Sequence, residues 1–192
     1  MTLGTRYYLG EGIPQNLTRA FEYIRYAAEQ GPAKAQSHLG SMYGNGDGVP
    51  LNKAKAVEWL QKAADQGQMD AQFNLAVRYD LGDGVAQNKA KATQWLQKAA
   101  DQGQPAAQYN LALRYYHGDG VPLNKAKAAE WYQKAAEQGL MEAQYWLSDL
   151  YFRGECIPMN RAKAWEWMSE GRRNAGLNLA RMGGTIAPTR AA

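Results

Sequence analysis

Five loops of one kind hold the residues whose types first suggest chemistry. They are Gly10-Glu11-Gly12, Gly46-Asp47-Gly48, Gly82-Asp83-Gly84, Gly118-Asp119-Gly120 and Gly154-Glu155-Cys156. An acid between glycines has the look of a phosphate cradle or a calcium loop. A phosphate cradle needs a preceding strand and a Lys or Ser/Thr partner, and a calcium loop needs ligands at alternating positions ending in Glu. Neither context surrounds these loops, so they are expected to be structural turns. The two histidines, His38 and His117, stand at unrelated positions with no His or Cys partner in view. That argues against a His-rich metal centre or a histidine relay. Cys156 is the single cysteine, which excludes an internal disulfide framework and a multi-cysteine zinc site. It takes the place that Gly120 holds in the preceding loop and is expected to be a free, inert thiol. None of the 18 Asp and Glu residues sits apart from the surrounding pattern as an acid–base pair would. No catalytic residue, metal or cofactor is therefore expected, and the chain is not expected to be an enzyme.

Paired cations recur as well, at Lys53/Lys55, Lys89/Lys91, Lys125/Lys127 and Arg161/Lys163. They begin a helix, where positive charge is mildly unfavourable. One explanation is a ridge that binds anionic surfaces. The other is that the long stems cover neighbouring Trp and Tyr rings while the charges stay in water. Acidic residues such as Glu58, Asp65, Glu130 and Glu137 lie close to the pairs and favour the second.

The bulk properties agree with a globular chain. Its 192 residues carry 22 basic and 18 acidic side chains, a net charge of +4 that is too dilute for a dedicated nucleic-acid binder. No apolar run approaches the roughly 18–20 residues that cross a bilayer, so no integral membrane segment is expected. The start, Met1-Thr2-Leu3-Gly4-Thr5-Arg6-Tyr7, lacks a basic-then-apolar leader. Cytoplasm is the expected compartment, with the periplasm or the exterior as the alternative if a leader has been removed.

The elements that position all these residues are set by a repeat. Gly31, Gly67, Gly103 and Gly139 are spaced by 36, as are Leu3, Leu39, Leu75, Leu111 and Leu147, and Trp59, Trp95, Trp131 and Trp167. Residues 75–110 and 111–146 share 23 of 36 identities, which makes the period a true duplication. Cutting at the leucines gives units 3–38, 39–74, 75–110, 111–146 and 147–181, the last a degenerate cap. Such a period marks a solenoid, in which each unit buries its apolar face only against its neighbours.

Within a unit, Ala71, Leu75, Ala76 and Tyr79 form a helical stripe, called helix A below. Gly82 and Gly84 stop it. Asn88 can cap a second helix, helix B, whose apolar face is Ala92, Trp95, Leu96, Ala99 and Ala100. Gly103 ends that helix. The whole chain is predicted to be all-α.

The run of 71–103, A-Q-x-x-L-A-x-x-Y-x-x-G-D-G-V-x-x-N-x-x-K-A-x-x-W-x-x-K-A-A-x-Q-G, resembles the Sel1-like repeat, a relative of the tetratricopeptide repeat. Five tandem copies cover about 170 residues. Asn16, Asn52, Asn88, Asn124 and Asn160 stand where the family commonly has Asp, a change that keeps the capping oxygen. The resemblance implies a right-handed α/α superhelix of five helix–turn–helix units, one domain over 1–182, and a flexible tail over 183–192. A short extra helix is expected over 174–182. The first unit lacks the start of helix A, as if cut from a longer array. Adaptor roles in signalling, quality control and host–bacterium contact are what the family implies.

In tetratricopeptide-like solenoids helix A lines the concave surface, and the resemblance places the variable helix-A side chains there. These are Phe73, Asn74, Val77, Arg78 and Asp80, then Tyr109, Asn110, Leu113, Arg114 and Tyr116, then Tyr145, Trp146 and Phe152. Aromatic rings, amides and guanidinium groups together suit an extended peptide. The expected function is a non-catalytic scaffold that holds a peptide or protein segment, with the chain itself a monomer. A cell-wall or β-lactam hydrolase, a role proposed for cysteine-rich relatives, is the alternative from another class. The paired cysteines of those relatives are absent here.

Overall fold

The computed structural model describes residues 2–181, with side-chain surroundings through Asn174. The tail assigned to 183–192 lies outside the described residues, as does Met182. Ten α-helices and no strand are found among the described residues: α1 Leu3–Leu9, α2 Leu17–Glu29, α3 Ala33–Asn45, α4 Lys53–Asp65, α5 Met69–Leu81, α6 Lys89–Asp101, α7 Pro105–His117, α8 Lys125–Glu137, α9 Met141–Arg153 and α10 Arg161–Arg181. Odd-numbered helices are helix A and even-numbered ones helix B. None of the described helices is long and apolar enough to cross a membrane.

The helix starts follow from the asparagines. The side chains of Asn16, Asn52, Asn88, Asn124 and Asn160 each accept from the backbone N–H three residues on, at 2.9–3.0 Å. Each thereby satisfies a donor that has no partner inside the helix. Gly82 ends α5 with φ +69° and donates its N–H to the Arg78 carbonyl. The second loop glycine has a different task. A β-carbon on Gly84 would strike the backbone carbonyl of Lys53, so its absence lets the turn rest on the start of α4. Cys156 holds the same turn position at φ +65°, a left-handed residue that is not glycine.

The chain divides into two compact units after Gln104. In the first, α4 packs against both α3 and α5, and Leu60, Ala63, Ala64, Ala71 and Leu75 are almost wholly buried. A second cluster joins Ala20, Phe21, Ile24, Leu39 and Met42. In the other unit α8 packs against α7 and α9, and α9 against α10, around Ala128, Tyr132, Ala135, Leu147 and Leu150. The alanine pairs let helices approach closely, as their size requires.

Two details differ from the sequence reading. Leu39, Leu75, Leu111 and Leu147 fall in the middle of helix A, so the hairpins start six residues earlier than the cuts at these leucines. As far as Arg181, the stretch expected as a separate helix is instead the continuation of α10, which runs 21 residues. The Gln-Gly that ends the other B helices is missing there, and nothing stops the helix.

Buried glutamines link the hairpins. Gln72 donates to the Ala64 carbonyl at the end of α4 (3.2 Å) and accepts from Gln102 at 2.7 Å. Gln36 likewise donates to Ala28 and accepts from Gln66, and Gln144 donates to Ala136 and accepts from Asn174. Each amide adds a second hydrogen bond to a last-turn carbonyl that already accepts a backbone N–H from the glycine closing the helix.

Candidate functional site

The helix-A residues separate into buried and open groups. In the first unit Val77 is exposed, Phe73, Asn74 and Asp80 are half-buried, and Leu81 beside them is 70% exposed. A groove of about 270 Å³ runs between α3 and α5, lined by Ser41, Asn45, Asn74 and Val77, with Arg78 and Asp83 at one side. In the second unit Tyr145 and Phe152 stand open at 46% and 60% exposure. Tyr109, Asn110, Leu113, Tyr116 and Trp146 are half-buried. The Asn110 amide donates to the Ala106 carbonyl one turn back, at 2.9 Å.

The two arginines are engaged within their own hairpins. Arg78 forms an ion pair with the turn acid Asp83, which Lys53 also meets at 2.7 Å. Arg114 is buried, donates to the Asp119 carbonyl at 3.2 Å and lies 3.9 Å from its carboxylate. Both guanidinium groups therefore brace the glycine-rich turns of their own hairpins. The Lys53 ammonium and the Arg78 guanidinium hold the Asp83 carboxyl below the usual carboxylate range. In the last turn Glu155 receives hydrogen bonds from Lys125 and from the Tyr116 hydroxyl, the latter at 2.9 Å, and its carboxyl is lowered likewise. Tyr8 makes the same bond to Asp47 at 2.9 Å.

Tyr109, Tyr116, Tyr132 and Trp146 of the second unit form one packed group. Trp146 stacks on Tyr132 at 5.5 Å with 3° between planes, and meets the edge of Tyr116 at 5.3 Å. Tyr109 tilts toward Tyr132 at 5.8 Å. Tyr132 takes a helix-B position that Leu60 and Leu96 fill elsewhere, and its hydroxyl is buried without a hydrogen-bond partner. Burial raises its phenol far above the ordinary value. Sequence reasoning missed it because a tyrosine at a core position of an amphipathic helix carries no separate signal.

The repeated lysines are engaged within the fold. Lys55, Lys91, Lys127 and Lys163 each lie 5.3–5.4 Å from the ring centroid of Tyr43, Tyr79, Tyr115 and Tyr151, the helix-A tyrosine of the same hairpin. Lys62, Lys98 and Lys134 cover Trp59, Trp95 and Trp131 from 3.9–4.1 Å. Lys53 and Lys125 meet turn acids. It is the ammonium groups themselves that lie over the rings or beside the acids. No cluster of three His, Cys, Asp or Glu side chains close enough to hold a metal is found among the described residues.

With the hairpins and their locks in place, a family model decides the assignment. The Sel1 repeat model matches residues 3–32, 33–68, 70–104, 105–140 and 142–173. The chain belongs to the Sel1 repeat family. Its five matches follow the helix hairpins rather than cuts at the leucines. A protective antigen of uropathogenic Escherichia coli with an SLR fold is 33% identical over 97% of this chain, with a TM-score of 0.86. The chain spans 42% of that protein's length. A Sel1 repeat protein from Oxalobacter formigenes is 34% identical over 94% of this chain and 74% of its own, with a TM-score of 0.84. The cysteine rich protein B of Helicobacter pylori shares the fold at 24% identity and a TM-score of 0.53, over 67% of this chain and 95% of its own. No curated protein matches the sequence. Membership in the Sel1 repeat family suggests a protein-interaction scaffold.

Proposed function

We propose that this Sel1 repeat protein is a non-catalytic adaptor that holds a peptide or protein segment on its helix-A face. The observation that carries the proposal is the contrast between engaged and open side chains. Turn acids, arginines, lysines and core amides are used inside the fold, while Val77, Leu81, Tyr145 and Phe152 stay open on helix A. Large apolar side chains left in water on the variable face are the usual anchors of a partner. The groove beside Val77 adds the amides of Asn45 and Asn74, which can pair with an extended backbone. In the first unit Phe73 and Asp80 belong to this face and Arg78 braces its turn; in the second Tyr109, Asn110, Leu113, Tyr116 and Trp146 belong to it and Arg114 braces its turn.

Peptides selected from a displayed random library test the proposal. Those that bind the parent chain are expected to lose binding to a Val77→Ser/Tyr145→Ser/Phe152→Ser variant with an unchanged circular dichroism spectrum. Equal binding to both would sink the assignment of the helix-A face. The anionic-surface alternative gains nothing from the geometry, since the lysines that would form the ridge already lie over rings or beside acids.

A further inference from the structure

Three helix-B tryptophans are lidded by their own helix, and one is not. Trp59, Trp95 and Trp131 each carry a lysine three residues on, with the ammonium 3.9–4.1 Å from the ring centroid. The fifth hairpin has the tryptophan, Trp167, but Glu170 in place of the lysine. Glu170 turns to Arg173 and forms an ion pair with it. No cation lies over Trp167 among the described residues. The ring is only half-buried.

The vacancy opens into a groove. A cavity of about 900 Å³ lies between α8 and α10 on the helix-B side, bordered by Trp165, Trp167, Glu137, Glu166 and Glu170. Trp165 is 64% exposed, although the matching Thr93 and Ala129 are buried. The two cations on its lining, Lys163 and Arg173, already have partners in Tyr151 and Glu170. Two indole faces and, beyond the Glu170–Arg173 pair, the carboxylates of Glu137 and Glu166 thus share one groove in which Lys163 already lies over Tyr151, on a chain whose net charge is +4.

We infer that this groove binds a basic side chain, lysine or arginine, of a partner peptide, which supplies over Trp167 the cation that α4, α6 and α8 supply for themselves. An ammonium or guanidinium is attracted to an indole face, and flanking carboxylates add to that attraction. The site is separate from the helix-A face, so failure of that assignment leaves it standing.

The test is a titration of the 15N-labelled chain with tetralysine at physiological ionic strength, followed through the tryptophan indole resonances. The Trp167 and Trp165 signals are expected to shift and saturate while those of Trp59, Trp95 and Trp131 stay in place. Glu170→Lys restores the lid of the other hairpins and is expected to weaken tetralysine binding about five-fold or more. Lysine is native to this position in three hairpins, so the variant should fold. Glu58→Lys makes the same change of net charge on α4 and is expected to leave binding unaltered. An unmoved Trp167 signal, or equal weakening by Glu58→Lys, would overturn the inference and leave only diffuse charge attraction.

Discussion

The guanidinium of Arg78 fills the space that a side chain on Gly44 would need. The two lie on successive A helices, α5 and α3, and the contact delivers Arg78 to Asp83. Elsewhere the turn acid is met differently. Tyr8 comes from the preceding helix A to Asp47, and the Arg78 column holds Met42. Tyr116 likewise reaches Glu155, and that column holds Leu150. Asp47 and Glu155 thus accept from a tyrosine of the hairpin before, and Asp83 from an arginine of its own hairpin, with Lys53 and Lys125 joining at Asp83 and Glu155.

Gly44→Tyr should therefore destabilise the first unit by about 1–3 kcal/mol, because the ring displaces Arg78 and leaves it without its partner. Adding Arg78→Met recreates the arrangement of Tyr8 and Met42 and should recover most of the loss. Urea denaturation of the single and double variants measures both. Additive losses in the double variant would show that the two arrangements are not interchangeable.

Acid should weaken the turns. The Asp83 carboxyl is lowered in the fold by Lys53 and Arg78, so the stability it contributes is fully present above the unfolded value of about 3.9 and disappears as pH falls through the lower folded value. Glu155 follows the same sign through Lys125 and Tyr116. Asp83→Asn should flatten the fall in melting temperature below about pH 4, while leaving its slope between pH 6 and 8 unchanged.

Tyr132→Phe should raise stability by about 1 kcal/mol, since it removes a buried hydroxyl with no partner and keeps the ring stacked on Trp146. Tyr132→Leu, the residue of the matching α4 and α6 positions, should lower it by about 1–3 kcal/mol by opening space beside Trp146. A stability ranking of Phe above Tyr above Leu in chemical denaturation is the expected result.

Cys156→Gly should stabilise the last turn by about 1 kcal/mol, because only glycine adopts φ +65° without steric cost. Burial, and then the neighbouring Glu155 charge, push the thiol above its ordinary range. Alkylation by iodoacetamide at pH 8 should therefore run slower than for a free cysteine peptide. Faster alkylation would contradict the placement of Glu155.

The hairpins could be read from the chain because their causes are local. Asn88 before a periodic run and Gly103 after it act on their own backbone, and Leu75 or Ala99 need only face the same way in each copy. The partners of long side chains could not be read in this way. Arg78 and Arg114 have variable neighbours and a helix-A position that suits an open groove. Their actual destination depends on an acid five residues ahead and, for Arg78, on a glycine 34 residues behind. The lysines illustrate the opposite case. Their stems were expected over Trp and Tyr, but which ring each would choose depended on how α4 meets α3 and how α8 meets α7. Tyr132 was invisible for a third reason: its consequence lies in a hydroxyl that finds no partner, and periodicity records only that the position is apolar.

The two ways of satisfying a turn acid also set a rule for recombination. A hairpin with an arginine like Arg78 follows one whose matching place carries no ring, as Gly44 before Arg78 and Asp80 before Arg114 show. A hairpin that ends helix A with a ring like Tyr116 must be followed by one with a short or aliphatic residue, as at Leu150. Exchange of single hairpins within such an array would often join a ring to an arginine and be refused on steric grounds. Copying that respects the junctions would carry neighbouring hairpins together, so the heritable module of this protein is the matched pair and not the 36-residue repeat.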